Sequence, residues 1–234
     1  MKSKRTPLIA YLCLLPLLLT LGVWQLNRAD EKRAMLALQA QRQSSETLEF
    51  SAILPENLES SLYKPVTAIG NYDSGHQFLM DNQVSKGRAG YFVLTPFKLK
   101  ASNMALLVNR GWIPLGKSRA DLPDIRVESN EMKLIGRINR FPRVGLKLTG
   151  AELPAKGWPA VVQIIDVKVL SKQLEYLLFD FQIELDKAAG HGYIRDWQEP
   201  VGMTPEKHTA YAVQWFLLAL TLTVLFIKYG FNKR

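Results

Sequence analysis

The chain has few of the residues from which catalytic and metal sites are usually built. Its 234 residues include one cysteine, Cys13, and three histidines. Because Cys13 lies in an apolar run near the N-terminus, the rest of the chain has no disulfide and no cysteine metal ligand, and an ordinary core must stabilise it. His76 and His191 lie in glycine-containing segments, "DSGHQF" and "AAGHGY". We interpret both as exposed loop residues.

Most catalytic signatures are also missing. The sequence has no G-x-S-x-G, H-E-x-x-H, C-x-x-C, P-loop or G-x-G-x-x-G motif. These are the local patterns of common hydrolases, zinc proteases, redox proteins and nucleotide-binding proteins. We therefore do not favour hydrolytic catalysis, although the composition alone leaves a Ser/His/Asp arrangement open.

Two long uncharged runs lie at the ends of the chain. From Thr6 to Asn27 there are 22 residues without a charge, and from Thr209 to Ile227 there are 19. A run of about 20 apolar residues crosses a bilayer as a helix, because only a helix satisfies its own backbone polar groups there. The sequence therefore predicts five segments: a tail at 1–7, a transmembrane helix at 8–27, an outer domain at 28–207, a second transmembrane helix at 208–227 and a tail at 228–234.

The first run differs from a cleaved signal peptide. Its apolar part is longer than a usual h-region, and "GVWQLNRADE" offers no small-x-small cleavage site. Cys13 lies in mid-run behind "AYL" rather than behind small residues, so a lipoprotein signal is not indicated either. We favour an uncleaved anchor over a cleaved signal.

Both tails are basic and contain no acidic residue. The charges are those of Lys2, Lys4, Arg5, Lys228, Lys233 and Arg234. Positive residues stay on the cytoplasmic side of a membrane, so both tails are predicted to lie inside. The segment between them has 24 basic and 21 acidic residues, against a formal net charge of +9 for the whole chain. Most of the basicity therefore follows from topology, and no nucleic-acid partner is indicated.

The middle of the chain reads mainly as β-strands with one wet face. "VTAIGNY" and "EMKLIGRI" alternate, with Val66, Ala68, Gly70 and Tyr72 on one face of the first and Met132, Leu134, Gly136 and Ile138 on one face of the second. In the clearest run, "FDFQIELD", the apolar residues are predicted to face the core: Phe179, Phe181, Ile183 and Leu185. The polar residues between them are predicted to face solvent: Asp180, Gln182, Glu184 and Asp186.

Helices are predicted at two further places. "DVKVLSKQLEYL" has Asp166 as N-cap and an apolar face formed by Val167, Leu170, Leu174 and Leu177. The first membrane helix is predicted to continue through "NRADEKRAMLALQAQRQ", which has no Gly or Pro. The expected fold is thus a membrane protein with two transmembrane helices, both ends inside, flanking a mostly antiparallel β (α+β) extracytoplasmic domain.

His208 stands out because of its position at the start of the second run. Tyr211, Ala212 and Trp215 follow it at +3, +4 and +7, on or near one helical face. A neutral imidazole is a standard axial ligand of haem iron, and the small Ala212 would leave room for a flat ligand. The alternative is an interfacial histidine within the aromatic belt of a membrane helix.

Two other segments carry polar and aromatic residues that have either a structural role or a role in binding a ligand. Trp24, Gln25 and Arg28 end the first run, where Arg28 either reaches lipid phosphate or pairs with an acidic ligand group. "VNRGWIP" is read as a strand entering a turn, with Asn109 and Gly111 in the turn. In that reading Trp112 packs or stacks on Arg110.

Together these segments resemble a known family. The motifs are Gly22-x-Trp24-Gln25-x-x-Arg28, "GYFVLTPF", "VNRGWIP" and His208-x-x-Tyr211-Ala212-x-x-Trp215-Phe216. Their order, with two anchors around a β-rich domain, resembles the surfeit locus protein 1 family, called Shy in yeast. The resemblance covers the whole chain. It implies a factor for cytochrome c oxidase assembly that helps insert or stabilise haem a in the catalytic subunit, without catalysing a reaction.

The resemblance also implies a site. His208 is the candidate ligand of the haem iron, and Trp24, Tyr211 and Trp215 are candidates for lining the ring. Gln25 belongs to the same predicted cofactor-binding set, and Arg28 or Arg110 would offer charge to the propionates. The implied partners are the catalytic subunit of the oxidase, haem A synthase and the membrane. The expected location is a bacterial inner membrane, with the main domain in the periplasm.

Three other functions are compatible with parts of the sequence. A membrane scaffold or chaperone for the oxidase subunit would use the same helix ends without holding haem, and haem content separates these two readings. An enzyme using a cleft in the outer domain would need clustered carboxylates or an activated nucleophile, and the sequence shows neither. A generic anchored ligand-binding protein does not explain why the motifs concentrate at the helix ends.

Overall fold

The computed structural model describes residues 5–50, 58–100, 102–119, 121–142, 150–197 and 202–230. Lys2, Lys4, Lys233 and Arg234, whose charges predict the orientation of the tails, lie outside these residues. The chain forms two compact units, one made of the terminal segments 1–40 and 198–234 and one made of residues 41–197. We call them the helical unit and the β unit.

The elements follow one another along the chain in this order: α1 (Arg5–Gln43), β1 (Leu48–Glu49), α2 (Leu58–Ser61), β2 (Pro65–Tyr72), β3 (Phe78–Ser85), β4 (Arg88–Leu99), β5 (Met104–Pro114), β6 (Met132–Asn139), β7 (Ala160–Val162), α3 (Val167–Leu174), β8 (Leu177–Leu185) and α4 (Pro205–Gly230).

Among the described residues, α1 and α4 are long and apolar enough to cross a membrane. Each contains one of the predicted spans. The 39 residues of α1 correspond to a helix of about 58 Å at 1.5 Å per residue, whereas a hydrocarbon core is about 30 Å thick. The predicted continuation of the first helix as far as Gln43 is confirmed.

Small residues line the contact between α1 and α4. Gly22, Ala29, Ala212 and Ala219 are all buried there. A Cβ added to Gly22 would lie 2.6 Å from a ring carbon of Phe216, so the phenyl ring packs directly on the glycine backbone. Such small residues let the backbones of membrane helices approach closely, which is how these helices gain packing energy in lipid.

The sheet of the β unit closes on itself. Its strand order is β1-β2-β6-β8-β5-β4-β3-β7, and a further pairing joins β2 to β4, so that β2, β6, β8, β5 and β4 form a ring. The carbonyl of Lys98 on β4 crowds the position where Gly70 would carry a Cβ, so glycine allows this closing contact. The β1–β2, β3–β7 and β5–β8 pairs are parallel and the other described pairs are antiparallel. A mostly antiparallel sheet is confirmed.

The inside of this ring holds the main core. Buried apolar residues from every strand of the ring meet there, among them Val66, Tyr72, Phe97, Leu106, Val108, Leu134, Ile138, Phe181 and Ile183. A second cluster joins Leu170 and Leu174 of α3 to buried residues of β3, β4, β5, β7 and β8. The predicted inward faces of β2 and β6 are confirmed, because their apolar alternation matches the burial of alternate residues.

The prediction for the outward face of β8 is wrong at two positions. Asp180 is exposed as expected, but Gln182 and Glu184 are buried. The amide oxygen of Gln182 accepts a hydrogen bond from Asn109 at 3.1 Å, and the Glu184 carboxylate pairs with Arg137 at 2.5 Å. Because β8 lies between β6 and β5 in the ring, partners from both neighbours cover and satisfy these groups.

The predicted helix after Ile165 is confirmed with an earlier end. The Asp166 side chain accepts hydrogen bonds from two backbone N–H groups of the first turn, at 3.1 and 3.2 Å, as an N-cap does. The helix stops at Leu174, where Glu175 takes the left-handed conformation with φ 61°. Leu177 is therefore not on the helix face as predicted, and it is an exposed residue of β8.

"VNRGWIP" is not a strand entering a turn as predicted. It lies entirely within β5, and Gly111, with φ 115°, bends the strand where Trp112 forms a bridge to Ile194. A Cβ on Gly111 would lie 2.8 Å from the Ile194 carbonyl oxygen, which explains the glycine. Asn109 accepts a hydrogen bond from the Gly111 N–H inside the strand.

Candidate functional site

The motif-bearing start of α4 meets the middle of α1 at a buried hydrogen bond. His208 on α4 and Gln25 on α1 are each 8% exposed, and 2.6 Å separates His208 Nδ1 from Gln25 Oε1. Since an amide oxygen only accepts, Nδ1 carries the proton in this pair. Within the described part of the chain no hydrogen bond is made by Nε2. The ring nitrogen that carries a lone pair is therefore Nε2.

The start of α4 sets the position of His208. Thr204 precedes the helix, and its hydroxyl accepts a hydrogen bond from the Lys207 N–H at 3.4 Å. Pro205 occupies the first helical position, which proline favours because its ring already has a helical φ. The backbone N–H of His208 then bonds to the Thr204 carbonyl at 3.1 Å. His208 thus lies in the first turn, on the buried face that continues with Ala212.

A second polar link joins the two helices beside His208, and sequence reasoning missed it. Arg33 Nη2 donates to the hydroxyl of Thr209 at 2.9 Å, while Nη1 of the same guanidinium pairs with Asp30 at 2.7 Å. The i,i+3 spacing of Asp30 and Arg33 is a local signal for the ion pair. Nothing local indicates the contact with Thr209, which lies 176 positions away.

Trp24 and Arg28 form an exposed pair on a different face of α1. Trp24 is 48% exposed, and the guanidinium carbon of Arg28 lies 5.9 Å from the centre of its ring. Arg28 also pairs with Glu31 at 2.7 Å. Of the three cofactor-binding residues predicted on the first helix, Gln25 therefore faces α4, whereas Trp24 and Arg28 face outward.

The two predicted aromatic residues of α4 also differ in their exposure. Trp215 is half-buried, and Tyr211 is exposed. Tyr211 lines an open groove of about 490 Å³, together with Gly202, Met203, Lys207, Ala210 and Gln214. The described lining of this groove does not include His208.

Arg110 is a buried residue of the β unit. It is 2% exposed, its Nε donates to the His191 carbonyl at 2.7 Å, and its Nη1 donates to Gln77 Oε1 at 2.9 Å. The guanidinium also lies over the rings of Tyr72 and Tyr193, at 5.8 and 5.2 Å, and not against Trp112. Burial lowers its pKa and is also the main reason that the pKa of Tyr72 rises to about 12. Arg110 therefore acts inside the β unit, and we leave it out of the proposed site.

A haem iron and a bare metal ion differ in the number of ligands they need from the protein. Within the described residues no three His, Cys, Asp or Glu side chains cluster closely enough to hold a metal ion. Haem iron needs only one or two ligands from the protein, because the porphyrin supplies four. A single imidazole with its other nitrogen hydrogen-bonded is the usual form of such a ligand, and His208 has this form.

Comparison with known proteins decides the family. The model described as "SURF1 family" matches residues 12–220, which include both helix ends and the β unit between them. The chain belongs to the SURF1 family. The resemblance seen in the motifs is thereby confirmed.

Named relatives within the SURF1 family come from bacteria and eukaryotes. A "SURF1-like protein" of Rickettsia felis is 27% identical over 242 residues, covering 99% of this chain and 98% of that protein. "Surfeit locus protein 1" of Rattus norvegicus is 27% identical over 142 residues, covering 53% and 46%. "Cytochrome oxidase assembly protein SHY1" of Saccharomyces cerevisiae is 26% identical over 102 residues, covering 43% and 26%.

Proposed function

We propose that this chain acts in the assembly of cytochrome c oxidase by holding haem a where the start of α4 packs against the middle of α1. From there it helps insert or stabilise the haem in the catalytic subunit, by binding rather than by catalysis. Membership of the SURF1 family and the name of the yeast relative support the role in assembly. The observation that carries the haem site is the buried hydrogen bond between His208 and Gln25.

In this proposal His208 would hold the haem iron through Nε2. The propionates of haem a are acidic and would need a counter-charge from the protein. Trp24 offers an exposed ring in the middle of α1, and Arg28 lies close enough to share its charge with a group above that ring. Trp215 and Tyr211 remain candidates for apolar contacts with the ring edge.

The same proposal includes a location. Basic tails at both ends favour a cytoplasmic side for each, and the Rickettsia relatives favour a bacterial membrane. The β unit then lies in the periplasm, and the helix ends that carry His208 lie at the outer surface of the inner membrane. The catalytic subunit would receive haem there, with haem A synthase as the supplier.

A second candidate is a scaffold that pairs with the oxidase subunit and never holds haem. The burial of His208 favours it, because a hydrogen bond between buried polar side chains also holds membrane helices together. Under this reading the imidazole is needed for helix pairing alone. A polar residue that keeps the hydrogen bond but cannot ligate iron would then replace it.

The experiment is complementation of a deletion strain in the oxidase-producing host. Wild type, His208→Ala and His208→Asn are expressed at matched levels, and oxidase haem a is measured per catalytic subunit. The control is His191→Asn, which removes an exposed imidazole at a left-handed position (φ 58°) that asparagine tolerates. We expect both His208 variants to lower haem a content and the control to match wild type. Normal content in His208→Asn favours the scaffold, and normal content in the deletion strain refutes a role in assembly.

A further inference from the structure

We propose that Gln25 is a positioning residue for His208 and not itself a contact of the cofactor. Its amide oxygen accepts the Nδ1 proton, which fixes the imidazole as the Nδ1–H tautomer and leaves Nε2 as the free lone pair. The inference rests on the proposed function for what Nε2 binds. The hydrogen bond and its effect on the imidazole do not depend on that function.

The surroundings of Gln25 hold its amide in place. Gly22 lies one turn before it under the ring of Phe216, and Ala29 lies one turn after it with no exposed surface. The Arg33–Thr209 hydrogen bond closes the next turn. Helix contacts therefore lie on both sides of Gln25, which is itself 8% exposed and bonded to His208, so its side chain is confined before any ligand binds.

A neutral imidazole has two tautomers, and only the Nδ1–H tautomer has a lone pair on Nε2 that can bind iron. In the Nε2–H form the nitrogen that is not bonded to Gln25 carries a proton and cannot ligate iron. A partner that accepts from Nδ1 removes that form, sets the plane of the ring and raises the basicity of the other nitrogen. An amide does this less strongly than a carboxylate, since it has no negative charge. A neutral acceptor suits a site that must release its haem.

The first measurement needs no haem. The full-length protein is labelled with ¹⁵N-histidine in detergent, and long-range ¹H–¹⁵N correlations report which ring nitrogen carries the proton. The His208 signals are those lost in His208→Ala. We expect Nδ1–H for wild type and a shift towards Nε2–H in Gln25→Leu. Asn27→Ala, at an exposed position of the same helix, should leave the signals unchanged. An Nε2–H tautomer in wild type, or an unchanged tautomer in Gln25→Leu, overturns the inference.

The second measurement is a titration of the same proteins with haem a. Loss of such a supporting partner typically weakens metal binding about 10–100-fold, and we expect this for Gln25→Leu. Gln25→Glu keeps an acceptor, so it should bind at least as tightly as wild type and release haem more slowly. Equal affinity of wild type and Gln25→Leu overturns the positioning role and leaves the proposed function standing.

The two measurements distinguish failure of the proposed function from failure of the role inferred for Gln25. If wild type takes up no haem a, the proposed function fails while the tautomer data still report on Gln25. If Gln25→Leu does not fold, the wild-type tautomer and the Gln25→Glu titration decide, because neither needs that variant. Weak binding by Gln25→Glu despite a folded helix pair also contradicts the inference.

Discussion

The packing of Gly22 against Phe216 gives a quantitative test of the helix pair that forms the site. Gly22→Ala places a methyl group 2.6 Å from the Phe216 ring, about 1 Å inside an ordinary carbon–carbon contact. The ring or the helices must therefore move. Overpacking of this kind usually costs about 1–3 kcal/mol, which is roughly a 5- to 150-fold change in an unfolding equilibrium.

The assay is equilibrium unfolding of the full chain in mixed micelles, with Trp24 of α1 and Trp215 of α4 as probes of the helical unit. Val23→Ala is the matched control, because Val23 is the exposed neighbour of Gly22. Phe216→Leu removes part of the ring and should recover most of the loss when combined with Gly22→Ala. We expect a coupling energy of about 0.5–3 kcal/mol, as found for residues in contact. A stable Gly22→Ala, or additive effects in the double variant, refutes this helix contact.

Two further predictions concern the β unit. Asp73 is buried, which alone raises its pKa, but hydrogen bonds from Lys98, His76 and Tyr176 hold the pKa below its ordinary value of 3.8. The stability that Asp73 contributes is therefore complete above about pH 4 and lost as the pH falls through the lowered pKa. Asp73→Asn should remove this part of the acid dependence of the free energy of unfolding. An unchanged pH profile in this variant contradicts the role given to Asp73. Arg110→Met should destabilise the full chain by about 1–3 kcal/mol for each buried acceptor left without a donor, and Arg126→Met, at an exposed cation, is the control. Equal stability of these two variants contradicts the role given to Arg110.

Strand alternation could be read from the sequence wherever one face of a strand points into the ring. Val66 to Tyr72 on β2 and Leu134 to Ile138 on β6 follow that rule. Gln182 and Glu184 do not, because their partners come from other strands of a closed ring. Asn109 lies 73 positions from Gln182, so no local sequence pattern could predict that Gln182 is buried and hydrogen-bonded.

The site could be predicted only in part for the same reason. A histidine at the start of an apolar run is visible in the sequence, and the motifs around it indicate the family. The partner of His208 lies 183 positions away on the other helix. The burial of Arg110 could not be predicted either, because an arginine beside a glycine at the end of an apolar run indicates a turn. In the structure the glycine bends a continuous strand, and the arginine lies inside the unit.

The central claim is that the paired helices α1 and α4 hold haem a through His208. The most direct test is the absorption spectrum of the detergent-purified protein, expressed with and without haem A synthesis, for wild type and His208→Ala. The account predicts a haem a spectrum that requires haem A supply and weakens in the variant. A colourless wild-type protein from cells that make haem A would contradict it, and would leave His208 with a role in helix pairing alone.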